Sequence, residues 1–463
     1  MADKSCAAEN CGFYPPSSIL YHRPEMALPD LIEIVPLDQP VQAEITVPGS
    51  KSITNRALIL AALADGETVL KGALWSEDTQ IMVECLQELG FMVNVEGDPA
   101  EPCNRTITVY GNGGVVPRGG TETQPLDLFV GNAGTAARFL APFLCLGSGV
   151  YRLHGVPRMH ERPQAALFSA LRELGYRLES EKGNDKLPVK IFGEGAKKGR
   201  CHVSIEESSQ FASALLLSAK HGGWKINIIG ENAEESPYVA MTSKLIEAFP
   251  KGGEFQIEPD ASSGSYFWGV AYLFERAGFK DHIRVFDWPR TESQWQLDAQ
   301  FRGWVGIGNN AGMKSSISRL NELADSIMTA IVLAPFAGQA IHFTDLGRLR
   351  VQECERVVAL RTELTKCGTK VIEEGDTLTV YPSKLEELHG AEIETYNDHR
   401  MAMCFAILGL KVPGIKIKNP ACVKKTFPNF FQKLAAVPPH GLGAEILDVK
   451  TGRKLTHEEL FAD

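Results

Sequence analysis

Six times along this chain a polar, charge-bearing stretch opens an apolar helix, which a glycine and a short strand follow. The six openings are Lys51–Arg56, Gly131–Thr135, Ser208–Gln210, Asp260–Ser263, Leu323–Asp325 and Asn397–Arg400. The strands that follow are Thr68–Leu70, Val150–Leu153, Lys225–Ile229, His282–Phe286, Ala340–Phe343 and Ile415–Lys418. Successive strands lie roughly 55 to 85 residues apart, too far for a solenoid and suited to a repeated supersecondary unit. Helix N-termini expose unpaired N–H groups and a positive dipole end. Several of them meeting in one cleft make an anion site.

A second helix in the unit has its own ending. Leu86-Gln-Glu-Leu-Gly90 and Leu171-Arg-Glu-Leu-Gly175 are nearly identical, and Leu360–Leu364 with Gly368 is a looser copy. Gly90, Gly175 and Gly368 are predicted to end their helices in the left-handed conformation. Further strands follow at Thr106–Tyr110, Pro188–Phe192, Phe255–Ile257 and Thr377–Tyr381. The unit therefore runs helix, strand, helix, strand, strand. Six units divide into two groups of three, residues 52–258 and 259–437, which predicts two lobes with a cleft between them. Residues 1–27 are expected to form a loose arm, and residues 438–463 an appended tail.

A net charge of −10 argues against bulk nucleic-acid binding, so any basic cluster must be local. No apolar run reaches the roughly 18 residues of a membrane helix, and the N-terminus lacks a signal pattern. Ten cysteines lack zinc-site spacing. Cys85, Cys145 and Cys404 sit in apolar helical settings and are expected to be buried free thiols, which fits a reducing cytoplasm.

The basic residues gather just past strand ends. Arg158 and Arg162 follow Gly155, Arg348, Arg350 and Arg356 follow Asp345, and Lys424 and Lys425 follow Asn419. Lys51, Arg56, Arg138 and Arg400 add to them. Any one arginine is explained by solvation of a surface loop, but repetition at equivalent places favours capture of carboxylate or phosphate. Pro48-Gly-Ser-Lys51-Ser52 lacks the first glycine of a nucleotide P-loop. Gly134 stands where backbone must approach a ligand closely. Ser208, Ser209 and Gln210 read equally as a helix N-cap. Asp325 and Glu353 are the carboxylates nearest this basic set, fitted to base and acid work, although Asp325 also reads as a helix-start charge.

The segments Pro48–Arg56, Gly131–Arg138, Pro157–Pro163, Ser208–Phe211, Asp260–Tyr266, Tyr396–Met403 and Lys425–Pro428, in that order, resemble the enolpyruvyl transferases. The resemblance covers about residues 32–436 and is strongest to the branch acting on shikimate 3-phosphate. It implies an α/β fold of two lobes, each of three βαβαββ units arranged as an inside-out barrel. Residues 53–258 would form the N-terminal lobe, and residues 28–52 with 259–437 the C-terminal lobe. The crossings near 48–53 and 257–261 would be the hinge.

The resemblance also implies transfer of the enolpyruvyl group of phosphoenolpyruvate to the 5-hydroxyl of shikimate 3-phosphate, without metal or cofactor, by a cytoplasmic monomer. Phosphoenolpyruvate would be held by Lys51, Gly134, Arg162, Gln210, Arg356, Arg400 and Lys425. Asp325 would take the hydroxyl proton, Glu353 would handle the methylene proton, and Lys51 would lie where both substrates meet. Ser52, Arg56, Ser208, Ser209, Gln210 and Gln352, with Lys51 and Asp325, match acceptor positions. Three positions depart from the family pattern: Gln352 replaces a lysine, Glu235 a serine and Arg348 an asparagine. All three concern the acceptor, and Arg348 is expected to restore the missing cation. The alternatives are a transferase for a different, unphosphorylated acceptor, a non-catalytic anion binder, and an RNA-end cyclase with similar repeats. The last two lack support, since Lys51, Asp325 and Glu353 are all present and no nucleotide chemistry is evident.

Overall fold

The repeat resolves into two bundles of three helices, each wrapped by sheets. The computed structural model describes residues 28–230, 236–275, 282–290, 293, 295–307 and 312–462. Helices Lys51–Leu63, Gly134–Cys145 and Ser209–Gly222 pack against one another in the first lobe. Helices Ala261–Glu275, Ile327–Leu333 and His399–Gly409 do the same in the second. Every residue of Gly134–Cys145 and of Ile327–Leu333 is buried. A surface helix would keep a polar face, so these helices are central.

Four sheets share one strand order, in which a parallel pair continues into two antiparallel strands. The first runs Gly253–Gln256, Asp65–Leu74, Asn104–Asn112, Met92–Gly97, and the second Leu126–Phe129, Ser148–His154, Val189–Glu194, Leu178–Ser180. The third runs Ser316–Ser318, Ile341–Thr344, Thr377–Val380, Val371–Glu374. The fourth runs Glu392–Ile393, Ile415–Lys418, Leu31–Ile34, Ile446–Asp448. Two parallel pairs, Gly199–Ser204 with Trp224–Ile229 and Ala43–Ile45 with Ile283–Val285, complete six sheets among the described residues. The glycines that close the second helices are left-handed, with φ of 89° at Gly90, 85° at Gly175 and 89° at Gly368.

Each lobe has its own apolar core. Leu58, Leu140 and Phe211 belong to one, and Ile32, Phe267, Ile331 and Phe405 to the other. Burial of each such side chain contributes about 1.5–3 kcal/mol, so neither lobe depends on the other for its interior. The chain passes between them twice, and the two passages pair. Ser50 N–H donates to the Glu258 carbonyl at 2.9 Å, and Asp260 N–H donates to that of Pro48 at 2.8 Å. Gly49 is required there, because a Cβ would fall 2.0 Å from the Gly72 carbonyl oxygen.

The segment after residue 437 does more than trail from the core. Ile446–Asp448 extends the fourth sheet beside Leu31–Ile34, and Leu442, Leu455 and Leu460 are buried. The strand is only three residues long, too short to show a period in the sequence. Residues 1–27 lie outside the described residues. Cys85, Cys145 and Cys404 are buried free thiols, and burial pushes the Cys85 and Cys404 thiols up to about 12. Among the described residues no helix is long and apolar enough to cross a membrane.

Candidate active site

The starts of the central helices border one cleft between the lobes. On the first lobe, Lys51 opens its helix with Nζ 3.2 Å from Asp78 Oδ2, a carboxylate that is itself buried. Arg162 lies flat against Gly134, so that a Cβ there would meet its guanidinium nitrogens at 2.6 Å. One of those nitrogens donates to the Asn132 carbonyl at 3.2 Å.

On the second lobe, four cations enclose two carboxylates. Arg356 is fully buried; its Nε donates to Asp398 Oδ2 at 2.6 Å and its Nη2 to Glu353 Oε2 at 2.8 Å. Asp398 also caps the His399–Gly409 helix by accepting from Arg400 N–H at 2.9 Å. Arg400 Nη2 is 3.1 Å from Asp325 Oδ2, and Arg319 and Arg356 stand 3.6 and 4.0 Å from Asp325 Oδ1. Lys425 Nζ donates to Glu353 Oε1 at 3.1 Å.

Burial alone would raise the Asp325 carboxyl, but Arg400, Arg356 and Arg319 outweigh it and hold it at about 2. Burial also opposes ionisation of Glu353, and Lys425, Arg356 and Lys51 overcome it, keeping this carboxyl well below its usual range. Burial lowers the Arg162 guanidinium, with Glu353 and Asp78 pulling the other way. Glu353 thus acts on a first-lobe arginine, and first-lobe Lys51 acts on Glu353. The two half-sites share one electrostatic field.

Beside this cluster lies a cavity of about 600 Å³, whose lining includes Ser52, Tyr238, Lys244, Trp295, Asp298 and Asp325. Asp298 is buried and accepts from Ser262 Oγ at 2.5 Å and Ser326 N–H at 2.9 Å. Burial, aided by the charge of Asp325, raises its carboxyl.

The other residues expected at the acceptor have protein partners of their own. Arg56 is buried and outside the cavity lining, donating to Thr242 Oγ1 at 2.9 Å and Ser213 Oγ at 3.3 Å. Burial lowers it to about 10. Ser208 caps its helix, accepting from Gln210 N–H at 3.3 Å, and Ser209 beside it is buried. Gln210 Oε1 accepts from Arg138 at 2.6 Å. The Gln352 side-chain oxygen accepts from Arg356. Arg348 reaches across the cleft to donate to the Glu207 carbonyl. Glu235 lies outside the described residues.

Asp78, Asp298, Arg319, Asp398 and Lys244 went unnoticed in the sequence. Only Asp398 carried a local signal, as the N-cap in Asn397-Asp-His-Arg400.

A model of the EPSP synthase (3-phosphoshikimate 1-carboxyvinyltransferase) family matches residues 36–434. A protein of Nostoc punctiforme named 3-phosphoshikimate 1-carboxyvinyltransferase is 35% identical over 436 residues, covering 87% of this chain and 98% of its own length. One of the same name from Opitutus terrae is 36% identical over 441 residues, covering 89% and 98%. The structure of EPSP synthase from Acinetobacter baumannii superposes with a TM-score of 0.69 at 22% identity, covering 90% of this chain and all of that one. The enolpyruvyl transferase NikO from Streptomyces tendae does so with 0.62 at 16% identity, covering 93% and 99%. These two share the fold, two lobes of repeated α/β units. With more than a third of its residues matched along almost the full length of such relatives, the chain belongs to the EPSP synthase family.

Proposed function

We propose that this protein transfers the enolpyruvyl group of phosphoenolpyruvate to the 5-hydroxyl of shikimate 3-phosphate and releases phosphate. The observation that carries this reading is the convergence of Lys51 and Arg162 from one lobe with Arg356, Arg400 and Lys425 from the other around Asp325 and Glu353. Phosphoenolpyruvate is a small dianion or trianion, and this cluster offers fixed guanidinium and ammonium donors on both sides of it.

In this reading residues 53–258 form one lobe and residues 28–52 with 259–437 the other, with Lys51 and Ser52 at the crossing, on the first turn of a helix that packs in the first lobe. Closure at the paired crossings brings the half-sites together. Lys51, Gly134, Arg162, Gln210, Arg356, Arg400 and Lys425 hold phosphoenolpyruvate, and the acceptor occupies the adjoining cavity beside Ser52 and Asp325. Asp325 accepts the proton of the acceptor hydroxyl as its oxygen bonds to C2 of phosphoenolpyruvate. Glu353, able to carry a proton once the substrate anion engages Lys425 and Arg356, gives it to the methylene carbon, completing a tetrahedral intermediate. Phosphate then leaves with the proton held by Asp325, and one methyl proton returns to Glu353, which leaves the enol ether.

A carboxyl held at about 2 is a feeble base. Its depression comes from arginines that the substrate anion would itself neutralise. Binding of phosphoenolpyruvate to Arg400 and Arg356 therefore raises Asp325 toward useful basicity. A cytoplasmic monomer using no cofactor completes the reading.

The test is phosphate release from phosphoenolpyruvate, measured with shikimate 3-phosphate, with shikimate and with neither. Release that depends on shikimate 3-phosphate is expected. A folded protein that releases none rejects the reading, and a preference for shikimate selects the unphosphorylated acceptor.

A further inference from the structure

The short helix Pro157–Glu161 follows the strand Ser148–His154 and delivers Arg162 at its end. Its start is fixed to the loop that leads to Gly134. Val156 N–H donates to the Gly131 carbonyl at 3.0 Å, and a Cβ on Gly155 would fall 2.3 Å from that same oxygen. Met159 is buried against Gly155. The Gly155 N–H turns to a side chain instead, donating to His160 Nε2 at 3.1 Å. A backbone N–H can only donate, and a ring nitrogen that accepts carries no hydrogen. His160 is therefore neutral, with its hydrogen on Nδ1. Its ring clamps the helix back onto the residue at its root. Two residues further on, Arg162 N–H donates to the Met159 carbonyl at 3.3 Å, and its guanidinium to that of Asn132 at 3.2 Å.

We infer that His160 is a positioning residue for phosphoenolpyruvate: by holding the Gly155 N–H, its neutral ring sets the direction of the helix that presents Arg162 to the cleft. This rests on the transfer reading above, in which Arg162 is a ligand of that substrate. The helix is little more than one turn, too short to keep its direction by its own hydrogen bonds, so the clamp at its root decides it. Protonation places a hydrogen on Nε2, which then faces the Gly155 N–H donor to donor, and the clamp opens. The charged groups around the ring are Lys182, His154, Arg152 and Glu181. Asp127 pairs with His154 at 2.7 Å, and Arg158 pairs with Glu161 on the helix itself. Burial, Lys182, His154 and Arg152 lower the imidazole against the pull of Glu181, so the ring is neutral at neutral pH and protonates below 6.5. Phosphoenolpyruvate should therefore be held less well as pH falls below that value.

The test compares the unsubstituted chain with His160→Gln, whose amide oxygen accepts in place of Nε2 but does not titrate, and His160→Phe, which cannot accept. Steady-state kcat and KM for each substrate are measured at pH about 7.5 and about 5, with thermal melts at both to verify folding. At the higher pH His160→Phe is expected to raise KM for phosphoenolpyruvate by about fivefold, the loss of one hydrogen bond, with kcat and KM for shikimate 3-phosphate moving by less than about twofold. His160→Gln should match the unsubstituted chain there, and at the lower pH show a KM for phosphoenolpyruvate up to about fivefold below it. Imidazole nitrogen NMR of histidine-labelled protein should show a neutral ring with its hydrogen on Nδ1 that is missing from His160→Gln. Parallel pH profiles of His160→Gln and the unsubstituted chain overturn the inference. So does a His160→Phe protein with unchanged KM for phosphoenolpyruvate, or with equal rises for both substrates. If the unsubstituted chain releases no phosphate, the transfer reading falls by itself. Calorimetric titration of the unsubstituted and His160→Phe proteins with phosphoenolpyruvate then decides, and equal affinities overturn the inference.

Discussion

The guanidinium of Arg162 occupies the space that a side chain at Gly134 would need, with both terminal nitrogens 2.6 Å from the position of a Cβ. Real Cβ atoms do not come so close, so Gly134→Ala must displace the guanidinium. The obstacle is the end of a flexible side chain, and the fold can absorb the change. Arg162 would lose its bond to the Asn132 carbonyl and its alignment in the cleft. KM for phosphoenolpyruvate should rise by roughly tenfold or more, with a nearly unchanged melting temperature. An unchanged KM would remove Arg162 from the phosphoenolpyruvate site.

Arg348 and the Glu207 carbonyl join the lobes at the cleft. Glu207 immediately precedes the Ser208 cap, so this contact ties the second lobe to the start of a first-lobe central helix. Arg348→Ala should make the closed arrangement less populated. A partly exposed charged hydrogen bond is worth about 1 kcal/mol, so the apparent KM values of both substrates should rise together by about fivefold. A rise confined to the acceptor would instead mark Arg348 as a direct ligand, the role expected of it from the sequence. Steady-state kinetics with each substrate varied in turn distinguishes the two.

His399 is buried within the second-lobe cation cluster, and burial together with Arg400, Lys51 and Lys425 drives its imidazole well below 6.5. The unfolded chain protonates this residue as pH falls through 6.5, whereas the folded chain does not. Stability is therefore complete above that pH and declines as pH falls toward the folded-state value. By linkage the loss from this residue at pH 5 is at most about 2 kcal/mol. His399→Asn should flatten that part of the pH dependence. Urea unfolding of both proteins at pH about 7.5 and about 5 gives the comparison. Equal losses in the two proteins would contradict the assignment.

The repeat was legible because each unit repeats the same physical problem: an apolar helix must start at a polar cap and hand over to a strand. Lys51, Gly134, Ser208, Asp325 and Arg400 could be located from those starts, since a helix N-terminus is a sequence signal as well as a structural one. What the sequence concealed are partners fixed by tertiary contact. Asp78 meets Lys51 from a neighbouring helix, and Arg319 reaches Asp325 from the loop after Ser316–Ser318. Arg56, matched to an acceptor position by resemblance, also bonds to Thr242 and Ser213, far along the chain. Spacing along one helix cannot report which of its faces a later helix will cover.

Glu101 is the clearest case of a residue without any sequence signal. It lies in the first lobe, is 2% exposed, and its carboxylate accepts from four donors. Oε2 accepts from Thr46 Oγ1 at 2.7 Å and Lys433 Nζ at 2.7 Å, and Oε1 from Asn429 Nδ2 at 2.6 Å and Cys103 N–H at 3.3 Å. Thr46, Asn429 and Lys433 belong to the second lobe, so one buried carboxylate holds the lobes together near their crossings. An ionised carboxylate suits the position because it only accepts. Glu101→Gln would turn an amide donor toward other donors and leave the Lys433 ammonium without its counter-charge. The expected cost is about 3–5 kcal/mol. Lys433→Met should cost a similar amount, and the double variant less than the sum, with a coupling of about 0.5–3 kcal/mol between contacting residues. Because each lobe keeps its own core, the loss should appear as separation of one unfolding transition into two. Calorimetric scans of the four proteins would show it, and strict additivity with a single transition would mean that the lobes are held together elsewhere.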